Sequence, residues 1–272
     1  MDLVIRRARP SDKRDVLAAV RTIWGGHDRI PDVFNAWVTH RTGPFFVAES
    51  AGRVVGMGKV TVISPTEAWL EGGRVAPRWR RKGIATALMA HRVAYARDRG
   101  FRVLRLSTTS DNTPIHRAAK QLGFRRIAVL SRHEAPASSG SLLGRATPAW
   151  ARAVLRRLGP LVQRGSGWEW RELTPRDVRS AIARGRVFVS DPGARAAAML
   201  GDRYERTLMV VAVGGRGRAL VELLLGLRAE ALRRGLDDAS FYVSNAAERR
   251  AARSAGYRRP WSGETYLFEK RL

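Results

Sequence analysis

The chain has 272 residues, of which 44% are apolar, and its 50 basic and 24 acidic residues give a net charge of +26. This length and apolar content fit one large packed domain or two ordinary ones and exclude global disorder. The chain has no cysteine, which excludes a disulfide framework, a cysteine nucleophile and a thiolate metal site.

The positive charge is spread over the whole chain and does not form a basic tail. Residues 1–130 contain 24 basic and 10 acidic residues, and residues 131–272 contain 26 and 14. A nucleic-acid-binding protein gathers its arginines on one face, so nucleic acid is a less favoured partner. Only five of the basic residues are lysine, a bias that a GC-rich genome also produces.

The sequence shows no membrane or export signal. Its first residues lack the basic stretch and long apolar run of a signal peptide, and no uninterrupted apolar segment reaches about 18 residues. We therefore expect a cytoplasmic protein without a membrane-spanning segment.

The first half of the chain alternates between strand and helix patterns, in the order strand, two helices, three strands, helix, strand, helix, strand. Strands are predicted at Val4–Ala8, Phe45–Glu49, Val54–Val62, Ala68–Val75, Val103–Thr108 and Phe124–Arg132. Helices are predicted at Asp15–Trp24, Pro31–Val38, Ile84–Arg99 and Pro114–Leu122. This order is typical of a mixed α/β domain.

The most informative segment joins the fourth strand to the helix that follows it. Its core is Arg80-Arg81-Lys82-Gly83, directly before the apolar residues that begin with Ile84. A glycine-containing turn at a helix N-terminus leaves backbone N–H groups unpaired, and these groups bind phosphate together with the helix dipole. The segment therefore predicts binding of a phosphorylated cofactor.

The second half repeats features of the first. Trp170–Asp177 resembles Ile5–Asp12, and Asn245 precedes Gly256-Tyr257 by the same eleven residues that separate Asn112 from Gly123-Phe124. We predict a tandem duplication with a first domain at 1–134, a linker with a potential helix at 135–167, and a second domain at 168–272. Coincidence between two ordinary α/β segments is the alternative interpretation. Strands are predicted at Arg186–Ser190, Ala194–Leu200, Tyr204–Val213 and Phe241–Val243, and helices at Ala149–Leu158 and Ala219–Arg234.

Two motifs in the first half resemble the GNAT superfamily of acyl-CoA-dependent N-acyltransferases. One is Arg80-x-x-Gly83-x-Ala85 after Val75-Ala76-Pro77, and the other is Asn112 followed by a helix and Gly123-Phe124. The resemblance covers about Leu3 to Arg132 and implies a mixed, mostly antiparallel sheet flanked by helices. The second half lacks the loop motif, so we expect a degenerate GNAT-like domain that covers the substrate cleft or forms a homodimer interface.

The resemblance implies acetyl-CoA as the cofactor. The pantetheine arm would pair with the strand edge, and the pyrophosphate would lie on the loop. The positions implied by this match are Gly73, Arg74, Val75, Arg80, Arg81, Lys82, Gly83, Ile84, Ala85, Thr86 and Asn112. Asn112 would contact the pantetheine arm, or it caps the helix that starts at Thr113.

The chemistry implied is direct attack of an amine on the thioester through a tetrahedral intermediate. Glu71 is the candidate general base, directly or through water, or else a surface carboxylate; Glu67 is a second, weaker candidate. Ala119 occupies the position where many family members have a tyrosine acid. His116, or water, is the replacement we expect, and a helix-surface histidine is the alternative. We predict no metal site.

The segment between the first two helices borders the acceptor site in this fold. It is somewhat similar to histidine N-acetyltransferase-like members, and Trp24, His27, Asp28 and Phe34 are its candidate substrate contacts. An aspartate there suits a cationic amine. The predicted function is acetyl transfer to a primary amine of a small molecule or amino acid. The alternatives are a protein or peptide acetyltransferase, and a basic nucleic-acid- or tRNA-binding protein on a GNAT scaffold.

Overall fold

The computed structural model describes residues 2–40, 43–164, 167–202 and 204–272, without the side chain of Trp24. The chain divides into two compact units. The first contains residues 1–127 and 267–272, and the second contains residues 128–266. The two boundaries fall inside strands, and neither coincides with the predicted boundaries near residues 134 and 168.

The strands in chain order are β1 (Val4–Arg7), β2 (Phe45–Ser50), β3 (Arg53–Val62), β4 (Glu67–Val75), β5 (Val103–Thr109), β6 (Arg125–Pro136), β7 (Gly144–Arg145), β8 (Leu161–Arg164), β9 (Glu169–Glu172), β10 (Val187–Val189), β11 (Ala196–Leu200), β12 (Thr207–Gly215), β13 (Asp238–Val243) and β14 (Thr265–Arg271). The helices are α1 (Lys13–Val20), α2 (Ile30–Thr39), α3 (Ile84–Asp98), α4 (Thr113–Gln121), α5 (Ala151–Leu158), α6 (Pro175–Ala183), α7 (Gly217–Arg233) and α8 (Ala246–Ser254).

The sheet of the first unit has the spatial order β1-β2-β3-β4-β5-β14. Neighbours from β1 to β4 are antiparallel, and β4 and β5 are parallel. Helix α1 packs against β3, and α3 packs against β3 and β4. The predicted mixed α/β fold is confirmed. Helix α1 ends at Val20, earlier than predicted, because Gly25 and Gly26 close a short 3₁₀ turn with positive φ angles of 65° and 92°.

The sheet of the second unit has the order β6-β13-β12-β11-β10-β7, and β8 and β9 form a separate hairpin. As in the first unit, the central pair, β12 and β13, is parallel. The predicted linker 135–167 contains the end of β6, β7, α5 and β8, and its residues 165 and 166 lie outside the described residues. Strand β6 continues to Pro136 because it pairs with β13 as far as Asp238.

An ion pair repeated at matching positions supports the duplication. Arg6 donates from Nη1 and Nη2 to the Asp12 carboxylate at 2.8 Å each, and Arg171 donates in the same way to Asp177 at 2.6 and 2.8 Å. Burial raises the pKa of Asp177, but hydrogen bonds from Arg171 and Thr174 outweigh it and lower the pKa to about 2. Each unit therefore contains the same bidentate pair between a strand and the helical segment that follows it.

The two units differ where the central strand meets its helix. Eight residues, 76–83, connect β4 to α3, whereas Arg216 alone connects β12 to α7. The second unit therefore lacks a turn of this length at the corresponding position. This agrees with the expectation of a degenerate second GNAT-like domain.

The C-terminal strand β14 contributes Glu269 to an ion-pair group of the first unit. Arg105 on β5 lies between Glu67 on β4, at 2.9 Å, and Glu269 on β14, at 2.8 Å, and all three side chains are largely buried. Each of these buried charges therefore has an oppositely charged neighbour inside the sheet. Among the described residues, no helix combines the length and apolar character needed to cross a bilayer.

The position of β14 predicts that Leu267→Ala destabilises the first unit. Leu267 is fully buried, so the variant should lose about 3 kcal/mol of unfolding free energy in urea. In the Leu267→Ala variant, the backbone amides of β5 should also exchange hydrogen with solvent faster than in the unmodified protein. Arg271→Ala, on an exposed residue of the same strand, is the matched control and should stay within about 0.5 kcal/mol. Unchanged exchange in β5 would contradict the strand order.

Candidate active site

The candidate site lies where β4 and β5 separate. Their parallel pairing covers Glu67–Trp69 and Val103–Arg105 and goes no further. Beyond that point β4 continues to Val75 along β3, and β5 continues to Thr109. The edge of β4 that faces β5 is therefore available to another extended chain.

A bulge in β4 produces this separation. The register between β3 and β4 shifts between Met57 and Lys59, so that β4 has one residue more than β3. Gly72 in the bulge has φ +64°, and a Cβ there would stand 2.5 Å from the Trp37 ring on α2. The bulge thus requires glycine both for its backbone angle and for the close contact with α2.

The turn before α3 is open to an anion. Arg81 and Gly83 both have left-handed backbone angles, with φ +63° and +78°. Among the described residues, no group accepts a hydrogen bond from the amides of Arg81, Lys82 or Gly83, and no side chain caps α3. Ile84 fixes the start of the helix because its side chain is buried in the core. Successive free amides at a helix N-terminus form an anion-binding concavity.

The cations of this turn are exposed, and two of them have local contacts. Arg80 Nε donates to the Val75 carbonyl at 3.4 Å, and Lys82 Nζ lies 4.8 Å from the centre of the Trp79 ring. The Ala85 and Thr86 amides belong to the first turn of α3. The predicted phosphate-binding residues are therefore together at one end of the helix.

Glu71 lies on β4 next to the bulge and is half-buried. Its Oε1 accepts a hydrogen bond from the Thr61 hydroxyl on β3. This bond orients the carboxylate and leaves its other oxygen for further contacts. Glu67, by contrast, is bound to Arg105 and buried, so the weaker candidate base is committed to the ion pair inside the sheet.

Asn112 does not cap α4. Its Nδ2 donates to the Thr108 hydroxyl on β5 at 2.8 Å, and its side chain makes no capping bond. The matching Asn245 does cap its helix, where it accepts from the Glu248 amide at 2.9 Å. The helix-cap alternative for Asn112 is therefore wrong, although the matching asparagine of the second unit is a cap.

The helix α4 offers no tyrosine hydroxyl to the site. Ala119 is fully buried. His116 Nε2 lies 3.0 Å from the Thr109 carbonyl oxygen, and its ring packs on Phe268 with centroids 5.7 Å apart. The histidine thus joins the end of β5 to α4, and this contact does not favour it as the acid.

Two of the predicted substrate contacts are interior residues. Phe34 is 1% exposed and packs edge-on against Phe45 at 6.1 Å, because it lies on the apolar face of α2. Asp28 is buried, accepts from the Ile30 amide at 2.9 Å and binds Arg74 Nε at 2.6 Å. Both predictions of direct contact are therefore corrected to supporting roles. His27 is exposed, and the side chain of Trp24 lies outside the described residues.

Arg92 on α3 is a buried residue of the site that the motifs do not single out, and it is 4% exposed. Its guanidinium donates to the carbonyls of Lys59 at 3.4 Å and Glu71 at 3.3 Å, on both sides of the bulge. Two signals point to it: a charged residue within an apolar helix, and Gly58 within a strand pattern. Among the described residues, no group of three or more histidine, aspartate or glutamate side chains could hold a metal ion.

Comparison with known proteins identifies the first unit. Residues 14–124 match the acetyltransferase (GNAT) family. This range includes both strands of the cleft and the open turn. The first unit contains a GNAT acetyltransferase domain. The resemblance seen in the sequence is thereby confirmed.

Individual relatives cover the GNAT domain to different extents. The chain is 34% identical over 83 residues to histidine N-acetyltransferase of Scomber australasicus. The aligned segment covers 30% of this chain and 25% of that protein. The chain thus spans about a quarter of the length of the histidine N-acetyltransferases it matches. It is 29% identical over 129 residues to aminoglycoside N(6')-acetyltransferase type 1 of Stenotrophomonas maltophilia, covering 44% of this chain and 84% of that protein.

The fold of a solved structure extends the likeness over both units. The GCN5-related N-acetyltransferase from Sphaerobacter thermophilus has a TM-score of 0.67 and 17% identity, and the match covers 99% of this chain and 95% of that one. At this identity the match shows the fold alone. It confirms the predicted GNAT sheet flanked by helices.

The Asp28–Arg74 pair predicts a coupling between the α2 start and β4 in the GNAT domain. Asp28→Ala leaves the largely buried Arg74 cation without this carboxylate, so it should cost about 3 kcal/mol of unfolding free energy. The double variant with Arg74→Met should cost less than the sum of the two single variants. Asp32→Ala, at an exposed site in the same helical turn, should change stability by no more than about 0.5 kcal/mol. Additive losses would contradict the coupling.

Proposed function

We propose that this protein is an acetyl-CoA-dependent N-acetyltransferase that acts on a primary amine of a small molecule or an amino acid. The observation that carries the proposal is the open turn from Arg81 to Gly83, whose amides have no acceptor among the described residues. It follows the part of β4, from residue 70 to Val75, that is no longer paired with β5. A diphosphate on the turn and an extended arm along β4 would fit these two features together.

The residues that would hold the cofactor follow from this geometry. The amides from Arg81 to Thr86 would bind the pyrophosphate, and the β4 edge from Gly73 to Val75 would pair with the pantetheine amides. Asn112, which is not used as a cap, would face the same arm. When bound, acetyl-CoA supplies an acetyl thioester whose carbonyl carbon can accept an amine.

Glu71 would remove the proton that the amine loses when its nitrogen attacks. Thr61 holds the Glu71 carboxylate by a hydrogen bond, so the base has a fixed orientation. A backbone N–H near Val75 would donate to the oxygen that becomes negative during transfer. Such a donor stabilises the transition state more than the ground state and so raises the rate.

The acceptor class follows from the domain's relatives and from the α1–α2 segment. The relatives named above act, by their names, on histidine and on an aminoglycoside, and both compounds carry amines. In this chain His27 is exposed in the segment between α1 and α2. It would be a polar contact for the acceptor, with Asp28 and Arg74 holding the segment from behind.

The open turn predicts that Gly83→Ala weakens acetyl-CoA binding. Gly83 has φ +78° and nothing within 4 Å of a Cβ position, so alanine strains the backbone without a clash. The strain of about 1–2 kcal/mol should displace the turn and weaken binding about tenfold in calorimetry.

The same helix supplies a matched control. Gly100 also has φ +78° and open space around its Cβ position, so Gly100→Ala imposes similar strain at the other end of α3. It should lower stability equally and leave acetyl-CoA affinity unchanged. No heat of binding with the unmodified protein, even at high acetyl-CoA concentration, would end the proposal.

The proposed base predicts the effect of Glu71→Gln. Glutamine cannot accept the proton, so kcat should fall about a hundredfold. The low-pH limb of the kcat profile should also disappear, because it reports protonation of the base. Thr61→Val keeps the carboxylate and loses only its orienting bond, so a loss of several-fold with the limb retained is expected. A low-pH limb that persists in Glu71→Gln would exclude Glu71 as the base.

A further inference from the structure

Arg92 is a buried cation at the bulge of β4. Its guanidinium makes three hydrogen bonds, to the carbonyls of Leu88 at 3.1 Å, Lys59 at 3.4 Å and Glu71 at 3.3 Å. No carboxylate forms an ion pair with it in the described part of the chain. Burial lowers the pKa of Arg92 to about 10, so the group stays charged at neutral pH.

The backbone is shaped to accommodate this side chain. Gly58 lies at the register shift between β3 and β4, and a Cβ there would stand 2.7 Å from Arg92 Cζ. Nη2 lies 3.7 Å from the Cβ position of Gly73, on the β4 edge, and has no hydrogen-bond partner among the described residues. The remaining donor of the guanidinium is therefore next to the strand that would hold the pantetheine arm.

A neutral side chain could fill this position with a smaller loss of solvation free energy. Burying a cation without a carboxylate is expensive, and an apolar replacement of similar volume is often neutral or stabilising. A buried charge that is kept despite this cost points to a role in the chemistry. The family's usual tyrosine acid is replaced by Ala119 on α4, and α4 packs against α3. The departing sulfur thus lacks its usual partner on this side of the sheet.

We propose that Arg92 is a positioning residue that holds the β4 bulge open and places a positive charge where the thiolate of the acetyl donor leaves. This inference rests on the proposed function. In the transfer, the amine nitrogen bonds to the acetyl carbon and the C–S bond breaks, and the sulfur keeps the electron pair. The amine proton passes to Glu71 or to water, and the thiolate takes a proton from solvent after release.

The elements that pack against α3 carry other titratable residues, among them Glu71 on β4, Lys59 on β3 and His116 on α4. The Glu71 carboxylate accepts from Thr61, the Lys59 ammonium donates to the Gly43 and Val60 carbonyls, and the His116 ring contacts the Thr109 carbonyl. On α3 itself, His91 has a pKa lowered first by burial and then by the charge of Arg92. The test must therefore separate the effect of the Arg92 charge from a general change in the electrostatic field of the protein.

The decisive measurement is the ionisation of the CoA thiol in its complex, followed by ultraviolet absorbance of the thiolate. A nearby cation stabilises the thiolate, so bound CoA should have a lower thiol pKa than free CoA. Arg92→Met should raise that bound pKa by about one unit and lower kcat about tenfold. The KM for acetyl-CoA should change less than about threefold. Arg92→Lys should restore most of both effects.

Arg97→Met is the matched control, because Arg97 is exposed on the same helix and its loss changes the net charge equally. It should leave the thiol pKa and kcat unchanged. A bound thiol pKa equal to that of free CoA in the unmodified protein would overturn the proposal, even if Arg92→Met fails to fold. So would an equal thiol pKa in Arg92→Met and the unmodified protein. Failure of CoA to bind at all, measured by calorimetry, would instead overturn the proposed function.

Discussion

The separation of β4 from β5 is the constraint on which the rest of the first unit depends. Strand β4 must stay paired with β3 along its whole length, yet it must leave β5 after Trp69. One additional residue in β4 meets both requirements, because a bulge bends a strand without ending its ladder. Gly72 and the Trp37 ring fix the bulge from the α2 face, and Arg92 fixes it from the α3 face.

Buried charge is used in two different ways around this bulge. Arg105 lies between Glu67 and Glu269, and Arg74 binds Asp28, so each of these cations is next to a carboxylate. Arg92 binds only carbonyl oxygens among the described residues, so its charge is not cancelled. The paired groups stabilise the fold, whereas the uncancelled one produces a field at the cleft.

Local patterns predicted most of the first unit because the sequence is consistent there at each level. Apolar residues located α2 and α3, and Gly83 with its neighbouring cations located the open turn. The contacts of individual side chains were harder to predict from the sequence. The sequence makes Asp28 a candidate substrate contact, but its carboxylate instead binds Arg74, which is 46 positions away. Glu71 and Glu67 share a strand face and differ only because Arg105 reaches one of them.

The least predictable features come from pairings between residues that are far apart in the chain. No local pattern indicates that β6 ends against β13, or that β14 completes a sheet begun by β1. The repeated Arg–Asp pair lies in the similar segments at 5–12 and 170–177, as the predicted duplication would require. The connection after the central strand differs between the units, with eight residues in the first and Arg216 alone in the second.

The membership of residues 267–272 in the first unit has a consequence for synthesis on the ribosome. The sheet that carries the cleft cannot be completed when its first 127 residues have emerged, because its strand next to β5 is not yet translated. The nascent chain must hold an unpaired β5 edge, a site prone to aberrant association, until the second unit has been made. The order of segments in the chain thereby makes completion of the first unit depend on synthesis of the second.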